Sequence, residues 1–261
     1  MIPVFRKIRQ GLFSSGKFRS YLGYALGEII LVVIGILIAL QINNWNEDHK
    51  DRLKEQKILV SLQEDFRYTQ HALETSLSIY PEEIERLDSS LHYIGMQVSE
   101  LTPERKFNLF YTGYRSTAVV EGTLNSILNT DKLELISNDT LKNLLTAYPA
   151  EIKKFLSQQE NVKRVVLEIQ RPILESYVSL AEFSLGQDTK VKVISSDFEK
   201  LLSSRNYQNA LVNRLIQNKN LVTQAEKFLE KTNAILARVD REIQRFPSSN
   251  SIGIKPYLKL Y

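Results

Sequence analysis

Glu28 is the residue whose placement first suggests chemistry. It lies in ALGEIILVVIGILIALQINNW, residues 25–45, beside an apolar run from Ile29 to Leu40. An acid facing lipid costs about 3 kcal/mol at a bilayer centre and less near the edge, so such a group carries a proton, meets a partner helix or snorkels to the headgroups. A helical wheel at about 100° per residue puts Gly23, Gly27, Gly35 and Ala39 on one ribbon, with Glu28 between Gly35 and Ala39. Leu22, Leu26, Ile29, Val33, Ile36 and Leu40 take the other side. Gly23–Gly27 and Gly35–Ala39 are small-x-x-x-small pairs, the spacing that lets helix backbones approach closely. The expectation is a helix–helix contact through Gly23, Gly27, Glu28, Gly35 and Ala39, within a homo-oligomer or against a second membrane protein. Proton carriage, or pairing of Glu28 with Arg19 of a neighbour, are the alternatives.

Elsewhere catalytic patterns are missing. His49, His71 and His92 are far apart and form no i, i+4 pair for a metal. No Gly-rich phosphate loop, G-x-S-x-G or H-E-x-x-H occurs. The chain has no cysteine, which excludes a disulfide scaffold, a thiolate metal site and a Cys nucleophile. Carboxylates stand beside Lys and Arg, as in EEIER and EKFLEK, and read as solvated helix faces. Two blocks break the regularity. Tyr111, Tyr114, Arg115, Glu121 and Asn125 form one; Arg205, Asn206, Tyr207, Asn209 and Asn213 form the other. Breaks in a bundle are where binding loops occur, so Tyr114, Arg115, Glu121, Asn125, Arg205, Asn206 and Tyr207 are candidates for a ligand or partner site. The competing reading makes them cap and turn residues. No cofactor or metal is expected, and no enzymatic activity.

The elements that carry these residues follow from hydropathy and charge. Residues 1–20 hold five of the 34 basic residues (Arg6, Lys7, Arg9, Lys17, Arg19) and none of the 30 acids. Such a tail suits anionic headgroups rather than nucleic acid, and Phe5, Ile8, Leu12 and Phe13 give it one apolar face. Tyr21 to Ile42 makes about 33 Å of helix, enough to cross a ~30 Å hydrocarbon core. Arg19, Tyr21, Tyr24 and Trp45 stand where interfacial anchors belong. No small-x-small cleavage pattern follows the run, so the helix is expected to stay as an anchor. Lys17 and Arg19 abut one end and Glu47 and Asp48 the other, which predicts a cytoplasmic N-terminus and a periplasmic remainder.

Beyond Trp45 the pattern is helical almost throughout. Leu59, Leu62, Phe66, Leu73 and Tyr80 mark one stripe; Pro81 is expected to open a second helix with Ile84, Leu87, Leu91, Ile94, Val98 and Leu101 in rhythm. SND at 137–139 is expected to cap a helix to Tyr148, Pro149 to restart one to about Ala181, and Pro172 to kink it. Residues 186–196 read as a loop. Asn206 to Phe246 reads as a long last helix bearing Leu215, Val222, Ala225, Leu229, Ile235, Leu236, Val239 and Ile243. The fold expected is all-α: a single N-terminal transmembrane helix continuing into an elongated antiparallel helical bundle, coiled-coil-like in its spacing. Its divisions are 1–20 basic juxtamembrane segment, 21–45 membrane helix, 46–246 extracytoplasmic bundle and 247–261 loosely docked tail.

FRKIRQ and KFRSYLGYALGEIILVVIGILIALQINNWNED resemble the signature of an uncharacterised family of single-pass membrane proteins from Gram-negative bacteria, and LNSILNTDKLELISNDTLKNLLTAY (Leu124 to Tyr148) is similar to its second recurring block. The resemblance implies an inner-membrane location and supplies no activity, so the function must come from the residues. The expected function is a membrane-anchored, non-enzymatic interaction, scaffold or sensing module; a subunit of an ion-driven complex using Glu28 is the alternative. Membrane lipid and a membrane-embedded partner or second copy are the expected partners, and nucleic acid is not.

Overall fold

The computed structural model describes residues 18–184 and 192–246. The basic stretch before Phe18, the tail after Phe246, part of the 186–196 loop and the side chains of Arg19, Tyr21 and Tyr24 lie outside the described part. The described residues form helices and irregular segments, without strand. The chain divides after Glu55 into two units.

Helix α1, Phe18–Tyr93, runs through both. Its part before Glu55 includes an 18-residue window of mean hydropathy 2.3 that is wholly unburied, and by length and composition it can cross a membrane. Leu31 and Trp45 are 73% and 70% exposed there. The face after the apolar run carries ion pairs one turn apart, Glu47–Lys50 at 2.9 Å and Asp51–Lys54 at 2.8 Å.

In the second unit α1 is followed by α2 (Pro103–Phe110), α3 (Gly122–Leu128), α4 (Asp139–Arg164), a π-helical turn (Val165–Gln170), α5 (Arg171–Glu175), α6 (Leu180–Ser184), α7 (Phe198–Ser203) and α8 (Arg205–Gln244), with single 3-10 turns at Val98–Glu100 and Asp131–Leu135. Asn138 caps α4 as the sequence suggested, its side chain accepting from Leu141 N at 2.9 Å, and it also donates to Glu242 at 2.6 Å. Thr102, Asp197 and Ser204 cap α2, α7 and α8 in the same way.

Two expected helix boundaries are corrected. Pro81 lies inside α1 and Pro149 inside α4. A proline forfeits one backbone hydrogen bond and strains the preceding turn, but Leu73, Tyr80 and Leu87 are buried on one stripe across Pro81, as are Leu145, Tyr148, Ile152 and Phe155 across Pro149. That apolar burial outweighs the local defect. The rhythm through Ile94, Val98 and Leu101 does not continue the helix: α1 ends at Tyr93, and Gly95 takes φ +85°, the left-handed conformation that closes helices at low cost for glycine. A π turn lies just ahead of Pro172, and the helix ends at Glu175 rather than near Ala181.

Burial falls into two apolar clusters. The larger joins Leu59, Phe66, Leu73 and Tyr80 of α1 to α4 and α8, with Phe228 stacked against Tyr148 and Phe155 at centroid distances of 5.2 and 5.1 Å. The smaller gathers Leu87, Leu109, Leu174, Phe198, Leu201, Tyr207 and Leu211. Between the two clusters the sequence contributes Glu83 and Arg86 of α1, Gln170 of the π turn, and Arg214 and Asn218 of α8.

Candidate functional site

Residues 111–121 form a non-helical strap at that polar interval. Backbone taken out of water must find hydrogen-bond partners, and helix side chains supply them. Asp65 accepts from Thr123 N at 2.9 Å, just past the strap, and Thr69 from Val120 N at 3.2 Å. Gln159 pairs with Thr117 twice, accepting from its N at 2.5 Å and donating to its carbonyl at 3.2 Å. Arg214 of α8, wholly buried, donates to the carbonyls of Tyr111 (2.8 Å) and Gly113 and to Gln170 Oε1 (2.9 Å). Gln170, in the π turn, returns a longer bond to the Tyr111 carbonyl at 3.4 Å. The Tyr111 ring folds over Gly113, where a Cβ would come within 2.5 Å of it, and the guanidinium groups of Arg86 and Arg214 lie 4.5 and 5.5 Å from the ring centre. The Nε–H of both arginines has no hydrogen-bond partner among the described residues.

Charge in this layer is unbalanced. Arg86, Arg115 and Arg214 act on one buried acid, Glu83. Burial raises the Glu83 pKa above the ordinary carboxylate value against the pull of all three guanidinium groups. Burial likewise lowers the Arg214 pKa, with Glu83 opposing; a guanidinium stays protonated regardless. A hydroxyl chain runs beneath the strap. Tyr80 OH lies 3.0 Å from Thr117 Oγ1, which donates to Ser76 Oγ at 2.6 Å, which donates to the Ala72 carbonyl at 2.9 Å. Burial raises the Tyr80 pKa.

The first candidate block is therefore the strap. Arg115 donates its Nε to Ser76 at 3.2 Å and borders a cleft of about 290 Å³ with Tyr68, His71, Thr75 and Ser116. Tyr114 is exposed, Glu121 precedes the first turn of α3, and Asn125 is exposed on that helix. The second block lies at the start of α8. Tyr207 is fully buried and donates to the Leu109 carbonyl, while Arg205 and Asn206 are exposed on the first turn of α8 after the Ser204 cap. Burial pushes the Tyr207 phenol far above its ordinary value.

The residues that hold the strap, Arg214, Gln170, Gln159, Thr69 and Ser76, were not among the sequence candidates. A signal for two of them exists: Thr69 and Ser76, with Glu83 and Ser90, recur every seven residues on the same buried stripe as Phe66, Leu73, Tyr80 and Leu87, polar where an apolar side chain is the rule. In the membrane-length part, an added Cβ at Gly23, Gly27 or Gly35 would meet nothing within 4 Å, and Glu28 and Ala39 are exposed. Among the described residues no group of three or more His, Asp or Glu is arranged to hold a metal. No curated protein and no solved structure matches the chain. Over residues 28–98, from Glu28 to just past the end of α1 and short of the Leu124–Tyr148 block, the chain is similar to a family of unknown function (DUF6090).

Proposed function

We propose that this protein is a membrane-anchored, non-enzymatic interaction or sensing module that binds through the strap of its helical unit. The strap is the observation that carries the reading. A segment of 11 residues is fixed by buried polar side chains from three helices, presenting Arg115 at a cleft, and such fixed irregular backbone on a helical scaffold suits recognition. The helices are read as an antiparallel bundle. Gln63 and Gln70 of α1 bond Asp240 and Asn233, and Asn138, Tyr148 and Gln158 of α4 bond Glu242, Thr232 and Gln217, so α8 descends as the other two ascend.

The anchor is placed in the inner membrane of a Gram-negative cell, with the basic end in the cytoplasm and the bundle in the periplasm, on the charge asymmetry around the span. The ribbon of Gly23, Gly27, Gly35 and Ala39 with Glu28 is the contact for a second copy or a membrane partner, because its small-x-x-x-small spacing lets helix backbones approach closely. A C-terminal alkaline phosphatase fusion is expected to be active and a cytoplasm-only fluorescent fusion dark; the reverse pattern refutes the topology. Pulldown from detergent-solubilised native membrane, read by mass spectrometry, tests the module: a specific partner lost with Arg115→Gln supports it, whereas turnover of a substrate by the purified chain overturns it.

A further inference from the structure

We infer that the cleft beside the strap is a binding site for a small oxyanion, a carboxylate or phosphate group, gripped by the free end of Arg115. The inference rests on reading the helical unit as a binding module and adds the chemistry of what it binds.

The hydrogen-bond directions around Arg115 leave it this role. Ser76 Oγ has one hydrogen and two lone pairs. Its hydrogen goes to the Ala72 carbonyl, and its lone pairs receive Thr117 Oγ1–H and Arg115 Nε–H. Thr117 Oγ1 gives its own hydrogen to Ser76 and so accepts from Tyr80 OH. Every hydroxyl beneath the strap is thereby committed. Arg115 is held by its Nε, and its two Nη groups form no hydrogen bond or ion pair among the described residues. The end-on fork of a guanidinium matches the two oxygens of a carboxylate or phosphate.

The cleft wall agrees with that charge. Its lining includes Tyr68, His71, Thr75, Arg115 and Ser116 and contains no aspartate or glutamate. Residues 68, 71, 72, 75 and 76 lie on successive turns of one face of α1, and Tyr68 is 58% exposed at the rim. Behind the cleft, Arg86 and Arg214 outnumber Glu83, so the layer adds positive potential rather than cancelling it. At about 290 Å³ the space lies at the small end of ligand pockets, which favours a compact anionic group over an extended chain. A second cleft, of about 360 Å³, carries Lys57 and Lys132, but Lys132 already donates to Ser126 and both ammonium groups ride on long flexible stems. It serves as the control.

The full chain in an uncharged detergent is titrated with inorganic phosphate and with acetate by calorimetry, chloride keeping the ionic strength constant. At least one of the two is expected to bind at a single saturable site with Kd below ~10 mM. Arg115→Gln is expected to weaken that binding by about tenfold or more, and Ser116→Glu, an acid placed on an exposed rim position, to abolish it without lowering the melting temperature. Lys132→Gln is expected to leave it unchanged. Tighter phosphate marks a phosphate-bearing ligand and tighter acetate a carboxylate. No saturable binding to the parent chain overturns the inference, as does binding that survives Ser116→Glu, which decides the matter if Arg115→Gln fails to fold. Partner capture plays no part in the titration, so failure of the pulldown and failure of this site are separate results.

Discussion

Replacing Arg214 by Met tests whether the strap is held from α8. Arg214 is wholly buried and serves three acceptors, two of them backbone carbonyls. A hydrogen bond from a charged donor contributes about 1.5–3 kcal/mol, so the three lost together represent roughly 4.5–9 kcal/mol gross. Removing a buried guanidinium also returns its desolvation penalty, several kcal/mol. Met can pack into the vacated stem but donates nothing to the Gly113 carbonyl, and Tyr111 keeps only the long bond from Gln170. Glu83 loses a neighbouring cation as well. The net expectation is a loss of about 3 kcal/mol, or a fall of about 6–12 °C in melting temperature for a unit of this size. Circular dichroism of the full chain in detergent measures the fall. Hydrogen exchange locates it: the amides of Thr117 and Val120 are expected to exchange roughly 100-fold faster, at ~1.4 kcal/mol per decade. A buried ion replaced by an apolar side chain can also stabilise a protein. An unchanged or raised melting temperature, with strap amides protected as before, would refute the reasoning and show that Gln159, Thr69 and Asp65 suffice.

Three further outcomes follow from the same structure. Pro81→Ala restores the backbone bond to the Leu77 carbonyl and is expected to raise the stability of the chain by about 1–2 kcal/mol, after the loss of proline's constraint on the unfolded chain; a lower melting temperature counts against a continuous α1. Phe228→Ala removes the ring between Tyr148 and Phe155 and is expected to cost about 3–5 kcal/mol, whereas Ile216→Ala, half exposed, is expected to cost less than ~0.5 kcal/mol; comparable losses at the two positions would misplace the core. Tyr148 and Tyr207 have phenols raised by burial above the unfolded value of about 10, so the stability they contribute is whole below about pH 10 and is lost as pH rises toward their folded values. An absorbance titration is expected to release these two of the 12 tyrosines only as helicity collapses, and their ionisation in a still-helical protein would disprove the burial.

Apolar spacing made most of the long helices legible. Leu59, Leu62, Phe66, Leu73 and Tyr80 are all buried, and the last helix begins one residue and ends two residues from where the pattern put it. On that helix the stripe reads slightly to one side. Leu215, Val222 and Leu229 are half-buried flanks, and the central line is Leu211, Arg214, Asn218, Leu221, Ala225, Phe228, Thr232 and Ile235. Counting apolar residues alone shifts the axis because the true line includes an arginine, an asparagine and a threonine. The boundaries at Pro81 and Pro149 failed for a related reason. Proline is a local signal, and burial on either side of it is decided by partners distant in sequence. The strap's partners were hidden by the same distance: nothing local ties Gln159 to Thr117 or Arg214 to Gly113, separated by 42 and 101 residues.

The polar layer itself follows from one demand of the fold. Once residues 111–121 run between the helices, their amides and carbonyls need partners, and apolar side chains at those levels would leave them unsatisfied. Thr69, Gln159, Gln170 and Arg214 answer that demand, and Ser76 and Tyr80 align Thr117 beneath it. Folding accounts for each of these polar groups by a named bond to the strap. It does not account for the outer half of Arg115. The Nε bond to Ser76 orients that side chain, but no backbone group among the described residues bonds its two Nη donors. The guanidinium charge acts on the buried Glu83, while its two Nη donors stand where the strap meets a cleft lined by no aspartate or glutamate. On the binding reading proposed above, those two donors are the part of the strap that meets a ligand.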